Sequence, residues 1–303
     1  MNLNFVSKNH AKTCAIVSAS IVALALLLAI FGVGLNLGID FTGGILLHYE
    51  IGETFSTDVV RDALAEQGVT GAQIAMAGPD RTELQARFQD VENPDGIRAA
   101  LEDKLRETYP QVTFISIGRV GAVAGQDLIR SAILSVAVTW VLILIYIAIR
   151  FDLYSGLSVV FGILHDVGIV LAFMVFLRGF VQINSTFIAA LLTIVGYSIN
   201  NAIVIFDRIR ENNSKHSLGN LSRAEVVSHS VQESLTRTIN STLTTLVAVV
   251  MLYILGVDSI REFTLPLIIG MLSDVYCSNK ITGYVWVFLL NQRDKARLRA
   301  KKA

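Results

Sequence analysis

Charge is scarce in this chain of 303 residues: 17% of side chains are charged against 53% apolar, and the mean hydropathy is +0.57. So little charge excludes an ordinary soluble domain and places most of the chain in a membrane. The 25 basic and 25 acidic side chains cancel, which removes the overall electrostatic case for nucleic acid as a partner. Cysteine is nearly absent. Cys14 and Cys277 lie far apart in apolar runs, so neither a multi-bridge framework nor a CxxC metal site can form, and no metal is expected. There is no glycine-rich phosphate loop with its lysine, which leaves ATP out as an energy source within this chain. Gly196-Tyr197-Ser198 lacks the flanks of a nucleophile elbow, and intramembrane aspartates alone do not make a protease dyad. Neither an enzyme nor a bound cofactor is expected. If the protein does work, an ion gradient is the available source.

What the chain has instead is length of apolar sequence. A bilayer core takes about 20 apolar residues in helical form. Six stretches qualify: Cys14 to Leu35, Ser131 to Ile149, Leu153 to Leu177, Asn184 to Phe206, Thr238 to Val257 and Phe263 to Leu290. The first follows Lys8 and Lys12 but is longer than the apolar part of a signal peptide, so it reads as a retained anchor. Basic residues stay in the cytoplasm when loops are short. Lys8, Lys12, Arg150, the group Arg208, Arg210, Lys215 and Arg223, and the tail from Arg293 through Lys302 then all fall on one side. That predicts cytoplasmic N- and C-termini and six crossings of the lipid bilayer.

The expected organisation is an N-terminus and first span (1–35), an extracytoplasmic domain (36–128), five further spans (129–292) with a cytoplasmic segment at 207–236, and a basic tail (293–303). Within the outer domain, Ile45 to Ile51 reads as a strand. Thr57 to Gln67 has helical spacing from a Ser56 cap to a Gly68 stop. Ala72 to Ala77 and Glu83 to Phe88 are strand-like and joined by the turn residues Gly78-Pro79-Asp80. A helix from about Asp95 to Tyr109 and a strand from Gln111 to Ile117 complete a β-α-β-β-α-β order, which predicts a ferredoxin-like α+β unit. It holds no catalytic cluster. Its carboxylates read as solvated helix faces or as a surface for an extended polypeptide.

Ionisable groups at membrane depth are costly and mark the places to look for function. His165-Asp166 lies mid-span and either relays protons or satisfies itself at a helix interface. Asn200 and Asn201 can hydrogen-bond but cannot titrate. Asp207 sits at the cytoplasmic boundary near Arg208 and Arg210, as an ion-pair member or a proton donor. Arg237, Asn240, Ser241 and Thr244 share a helix face that borders water or packs on the Asn-bearing span. Arg237 stays protonated, so it suits holding a carboxylate ionised or gating a path, and snorkelling to headgroups is the plainer alternative. Asp274 and Lys280, six positions apart in the last span, do not pair on one ideal helix. Asp274 with Arg237 is a possible pair. His165, Asn200 and Asn240 are expected in a polar network inside the bundle.

Gly38-Ile39-Asp40-Phe41-Thr42-Gly43-Gly44, His165-Asp166-Val167, and Val195 through Asn212 ending Phe206-Asp207-Arg208-Ile209-Arg210-Glu211-Asn212 together resemble the SecF family over nearly the whole chain. The resemblance implies half of an RND-type unit in the bacterial cytoplasmic (inner) membrane. That half would act with SecD beside the SecYEG channel and use protons to help export an unfolded polypeptide. The family's fourth span usually reads Tyr-Ser-(Leu or Ile)-Asn-Asp, its aspartate regarded as a proton carrier; here that position is Asn201. The family arginine of the next span matches Arg237. Where the family commonly has Gly-Thr-Tyr-Ser-Ser, this chain has Asp274-Val275-Tyr276-Cys277-Ser278. Three outcomes stay open: the proton site has moved to Asp274, coupling is lost, or the chain is a structural subunit stabilising SecD. Half of a small-molecule RND exporter is a further alternative, although such exporters generally carry larger outer domains.

Overall fold

The computed structural model of the chain describes residues 8–78, 80–214 and 221–301. The expected turn residue Pro79 and the basic residues Lys215 and Lys302 lie outside these ranges.

Helix α1 spans Lys8–Ile30. It stops short of the expected Leu35, because Gly32 takes a φ of 84° and turns the chain out of the helix. A single helical turn, α2 (Ile39–Thr42), leads into a four-stranded sheet. The sheet comprises β1 (Gly44–Glu50), β2 (Gln73–Ala77), β3 (Glu83–Phe88) and β4 (Thr113–Val120), interrupted by α3 (Thr57–Glu66) and α4 (Pro94–Thr108). Strand order is β2-β3-β1-β4 with every neighbouring pair antiparallel. The Ser56 hydroxyl caps α3 by accepting from the Asp58 N–H at 3.3 Å, and Asn93 caps α4 by accepting from Gly96 N–H at 3.0 Å. Alternate residues of β1 and β3 turn inward against the helices, and Ile45, Leu47, Tyr49, Leu64, Leu84, Leu101 and Leu105 are fully buried. Tyr49 donates its hydroxyl to the Arg98 carbonyl at 2.9 Å. Burial there pushes the phenol above its ordinary value of 10.0.

After the sheet come α5 (Ala122–Arg150), α6 (Leu153–Phe176), α7 (Ser185–Ser214) and α8 (Arg223–Leu255), the last opened by a capping box between Ser222 and Glu225. Among the described residues, α1, α5, α6, α7 and α8 are long and apolar enough to cross a membrane. The expected last span is divided into α9 (Asp258–Cys277), a π-helical turn at Ser278–Thr282, and α10 (Gly283–Ala300). The division follows its polar content, since Asp274, Ser278, Asn279 and Thr282 are all buried along it. The most apolar stretch of α6 is 50% buried inside the protein against 11% for α1 and α5. Thus α6 sits at the centre, packed with α9 and α7, and α1 and α5 lie at the margin with apolar faces outward.

The sheet is fastened to one end of the bundle. Glu262, on the first turns of α9, accepts from Gln73 Nε2 at 2.9 Å, from Arg87 at 3.2 Å and from Asn184 Nδ2 at 2.7 Å. Asp258 accepts from the Met76 N–H at 2.7 Å, and Asp40 accepts from the Ser185 N–H at 2.9 Å at the start of α7. A parallel bridge between Leu37 and Ile183 closes the same junction.

Candidate functional site

Two carboxylates lie in the middle of the bundle, Asp166 on α6 and Asp274 on α9, each 1% exposed. Charged groups so placed need hydrogen-bond partners, and both have them. Asp166 Oδ1 accepts from Ser273 Oγ at 2.7 Å and lies 3.1 Å from His165 Nδ1, while Oδ2 accepts from Ser198 Oγ at 3.1 Å. Asp274 Oδ1 accepts from Ser278 Oγ at 2.6 Å, and Oδ2 accepts from Asn201 Nδ2 at 2.5 Å. The Ser198 hydroxyl, donated to Asp166, also stands near Asp274 and so lies between the two acids.

Helix geometry explains the convergence. Ser198 and Asn201 are three residues apart and share the inward face of α7 with Ile194 and Ile205. Gly270 lies one turn before Asp274 on α9, and a Cβ there would stand 2.5 Å from Ile194 Cδ1; its absence lets α9 come close enough to α7 for Asp274 to meet Asn201. The π turn widens the helix just beyond, so that Cys277, Ser278 and Asn279 are all buried in succession. On α8, Thr242 Oγ1 is 3.4 Å from Asn201 Nδ2 and Thr238 Oγ1 is 3.5 Å from Asn279 Oδ1.

Three buried polar atoms at this level are without a hydrogen-bond partner among the described residues: Asn201 Oδ1, His165 Nε2 and Tyr197 Oη. His165, Asp166 and Cys277 bring possible ligand atoms within 4.8 Å of one another. All three are engaged in hydrogen bonds, Cys277 Sγ to the Gly162 carbonyl at 3.8 Å, and they form part of the polar network.

Several expected members of the network lie elsewhere. Asn200 is exposed, because consecutive helix residues diverge by 100° and Asn201 takes the inward face. Asn240 is exposed for the same reason: Thr238 and Thr242 face inward and the residue midway between them faces out. Arg237 is exposed, with no hydrogen-bond or ion-pair partner among the described residues, and so does not meet Asp274. It lines a cleft of about 670 Å³ with Asp207, Arg208, Arg210, Glu211 and Glu233. Asp207 is paired there with Arg150 at 3.0 Å and is 44% exposed, an ion pair at the bundle's end. Sequence alone does not mark Ser273 or Ser198 as site residues. The signal was present in their spacing, one residue before Asp274 and three before Asn201.

Comparison with known proteins bears on this arrangement. Residues 100–292 match the model for "Protein export membrane protein SecD/SecF, C-terminal", and residues 28–49 match the SecD/SecF GG motif. The protein translocase subunit SecF of Acidaminococcus fermentans is 34% identical, over 89% of this chain and 93% of that one. SecDF of Bacillus subtilis is 33% identical over 89% of this chain, which spans 36% of its length. The crystal structure of SecDF, a translocon-associated membrane protein from Thermus thermophilus, aligns with a TM-score of 0.75 at 34% identity. That alignment covers 96% of this chain and 40% of the solved one.

Proposed function

The chain belongs to the SecF family of protein translocase subunits, and on that premise we propose that it joins SecD beside the SecYEG channel and converts a proton gradient into work on an exported polypeptide. It is a multi-pass membrane protein of the translocase. On this reading the membrane is the bacterial cytoplasmic one, and α9, the π turn and α10 together make a sixth crossing. The termini and the segment 207–236 are cytoplasmic, and residues 36–128 form a ferredoxin-like domain on the outer side, facing the emerging chain. The basic tail from Arg293 lies against anionic headgroups.

The observation that carries the reading is the joint position of α9. One helix presents a buried carboxylate, Asp274, to α6 and α7, and its outer end holds the sheet through Asp258 and Glu262. A change of charge at Asp274 alters the packing of the element to which the outer domain is bound, which is what gradient-driven movement of that domain requires. Asp166, with His165 beside it, is the second titrating candidate. Arg237 and Asp207 line the cytoplasmic cleft through which protons reach or leave the bundle. The structural-subunit alternative drew its support from Asn201, and a carboxylate within hydrogen-bond reach of that residue weighs against it.

The test uses vesicles containing SecYEG, SecD and this chain, with completion of precursor translocation followed with and without a proton gradient. The reading expects more completed precursor with the gradient, and only when this chain is present. An increment independent of the chain sinks it.

A further inference from the structure

Resting on that reading, we propose that Asp274 carries the coupling proton in this protein, passing it to and from Asp166 through the Ser198 hydroxyl, while the Asn201 amide turns to follow its charge. The residue at position 201 keeps a role, but as a positioning group and not as the carrier.

The argument starts from hydrogen-bond supply. As arranged, Asp274 receives two donors, the Ser278 hydroxyl and the Asn201 amide N–H, at 2.6 and 2.5 Å. This is the pattern an ionised carboxylate needs. Asn201 Oδ1 is buried and has no partner, which is costly unless a donor becomes available. Protonation of Asp274 supplies one. Rotation of the amide by half a turn keeps its shape and presents Oδ1 to the new Asp274 O–H. An aspartate at position 201, opposite a second carboxylate, could not serve both states in this way.

The transfer step balances with one proton. The Asp274 O–H turns from Asn201 Oδ1 to Ser198 Oγ and gives its proton there as the Ser198 O–H gives its own to Asp166 Oδ2. One O–H bond breaks and one forms at each stage, and the negative charge passes from Asp166 to Asp274. Two carboxylates bridged by one hydroxyl favour holding a single proton between them, since both charged together repel.

The surroundings supply few competitors. From α6 the titratable groups are Asp166 and His165. From α9 and the π turn they are Tyr276, its ring 6.1 Å from that of His165, Cys277, held to Gly162 and Thr282, and half-buried Lys280. Among the described residues, α7 offers Ser198 and Asn201 with the Tyr197 phenol at the same level, and α8 offers Thr238 and Thr242; Arg237 opens to the cytoplasmic cleft.

Two measurements test the proposal. In the SecYEG–SecD vesicles, Asp274→Asn should lose the gradient-dependent increment in completed precursor. The swap Asn201→Asp with Asp274→Asn should recover it, because an acid again faces an amide across the same gap. An undiminished increment in Asp274→Asn overturns the proposal, as does a swap that copurifies with SecD yet stays unresponsive. The second measurement needs no translocation: a hydrophobic carbodiimide, which reacts with protonated carboxyls in apolar surroundings, is mapped by peptide mass. Label on the Asp274 peptide, lowered in Asp166→Asn, is expected; label confined to other carboxylates overturns it. If Asp274 is labelled but the wild-type chain gives no increment, the export reading fails while the proton site stands.

Discussion

Asn201 donates its amide hydrogen to Asp274 across 2.5 Å, joining α7 to α9 inside the bundle. Asn201→Ala removes a donor to a buried charge, an interaction worth about 1.5–3 kcal/mol. The variant should melt earlier in detergent and show a reduced gradient response, whereas Asn201→Gln, which keeps the amide, should fall between it and the wild type. Equal behaviour of the alanine and wild-type chains would remove the contact's importance.

Gly270 sets the separation of those two helices. Its Cβ would meet Ile194, so Gly270→Ala should cost about 1–3 kcal/mol by overpacking and push Asp274 away from Asn201. Gly196 has nothing within 4 Å of its Cβ position. Gly196→Ala should therefore be neutral, or stabilising by about 0.5–1 kcal/mol through reduced chain entropy. Thermal unfolding of the two variants side by side checks the contrast.

Glu262 is a shared acceptor for Gln73, Arg87 and Asn184, with Arg87 and Glu262 only 16% and 12% exposed. Glu262→Ala should loosen the sheet from the bundle, at a cost on the order of 2–3 kcal/mol for the charged bonds lost. Limited proteolysis between α8 and α9 should accelerate, and the gradient response should fall even though the buried acids are intact. Unchanged proteolysis would mean that the Asp258–Met76 and Asp40–Ser185 bonds and the Leu37–Ile183 bridge suffice to hold the junction.

Tyr49 anchors the outer core in its neutral form. Its phenol is raised above 10.0 by burial, so the unfolded chain ionises first. The stabilisation is complete below pH 10 and is lost as pH rises beyond it. Tyr49→Phe should lose about 1 kcal/mol at neutral pH with the bond to Arg98, yet show a flatter stability profile above pH 10. A parallel profile for both proteins would place the alkaline transition elsewhere.

Much of the outer unit was legible because its signals are local. Ser56 and Gly68 bound α3, Glu83–Phe88 alternates cleanly, and short-range caps and period-two patterning do not depend on distant partners. The long helices were legible from apolar length, although their ends were not: α7 and α8 run on past the apolar stretch as polar helix. The site was half legible. Asp166, Asn201 and Asp274 stand out as polar groups in apolar runs, but which of them meet depends on helix rotation and on Gly270. Sequence alone therefore allows Asp274 to pair with Arg237 and turns Asn200 and Asn240 inward, whereas Asp274 meets Asn201 and both of those asparagines face out. Ser273 and Ser198 gave no signal of their own, because serine is ordinary in membrane helices until a carboxylate is known to lie beside it.

The most direct test of the central claim is infrared difference spectroscopy of the SecD-bound chain in lipid, recorded between acidic and alkaline buffer. A carboxylic C=O band from the buried pair is predicted. It should vanish or shift in Asp274→Asn, shift in Asp166→Asn, and reappear in the Asn201→Asp, Asp274→Asn swap. A band that persists unshifted in Asp274→Asn would mean that the proton is held by another group, and would contradict the account.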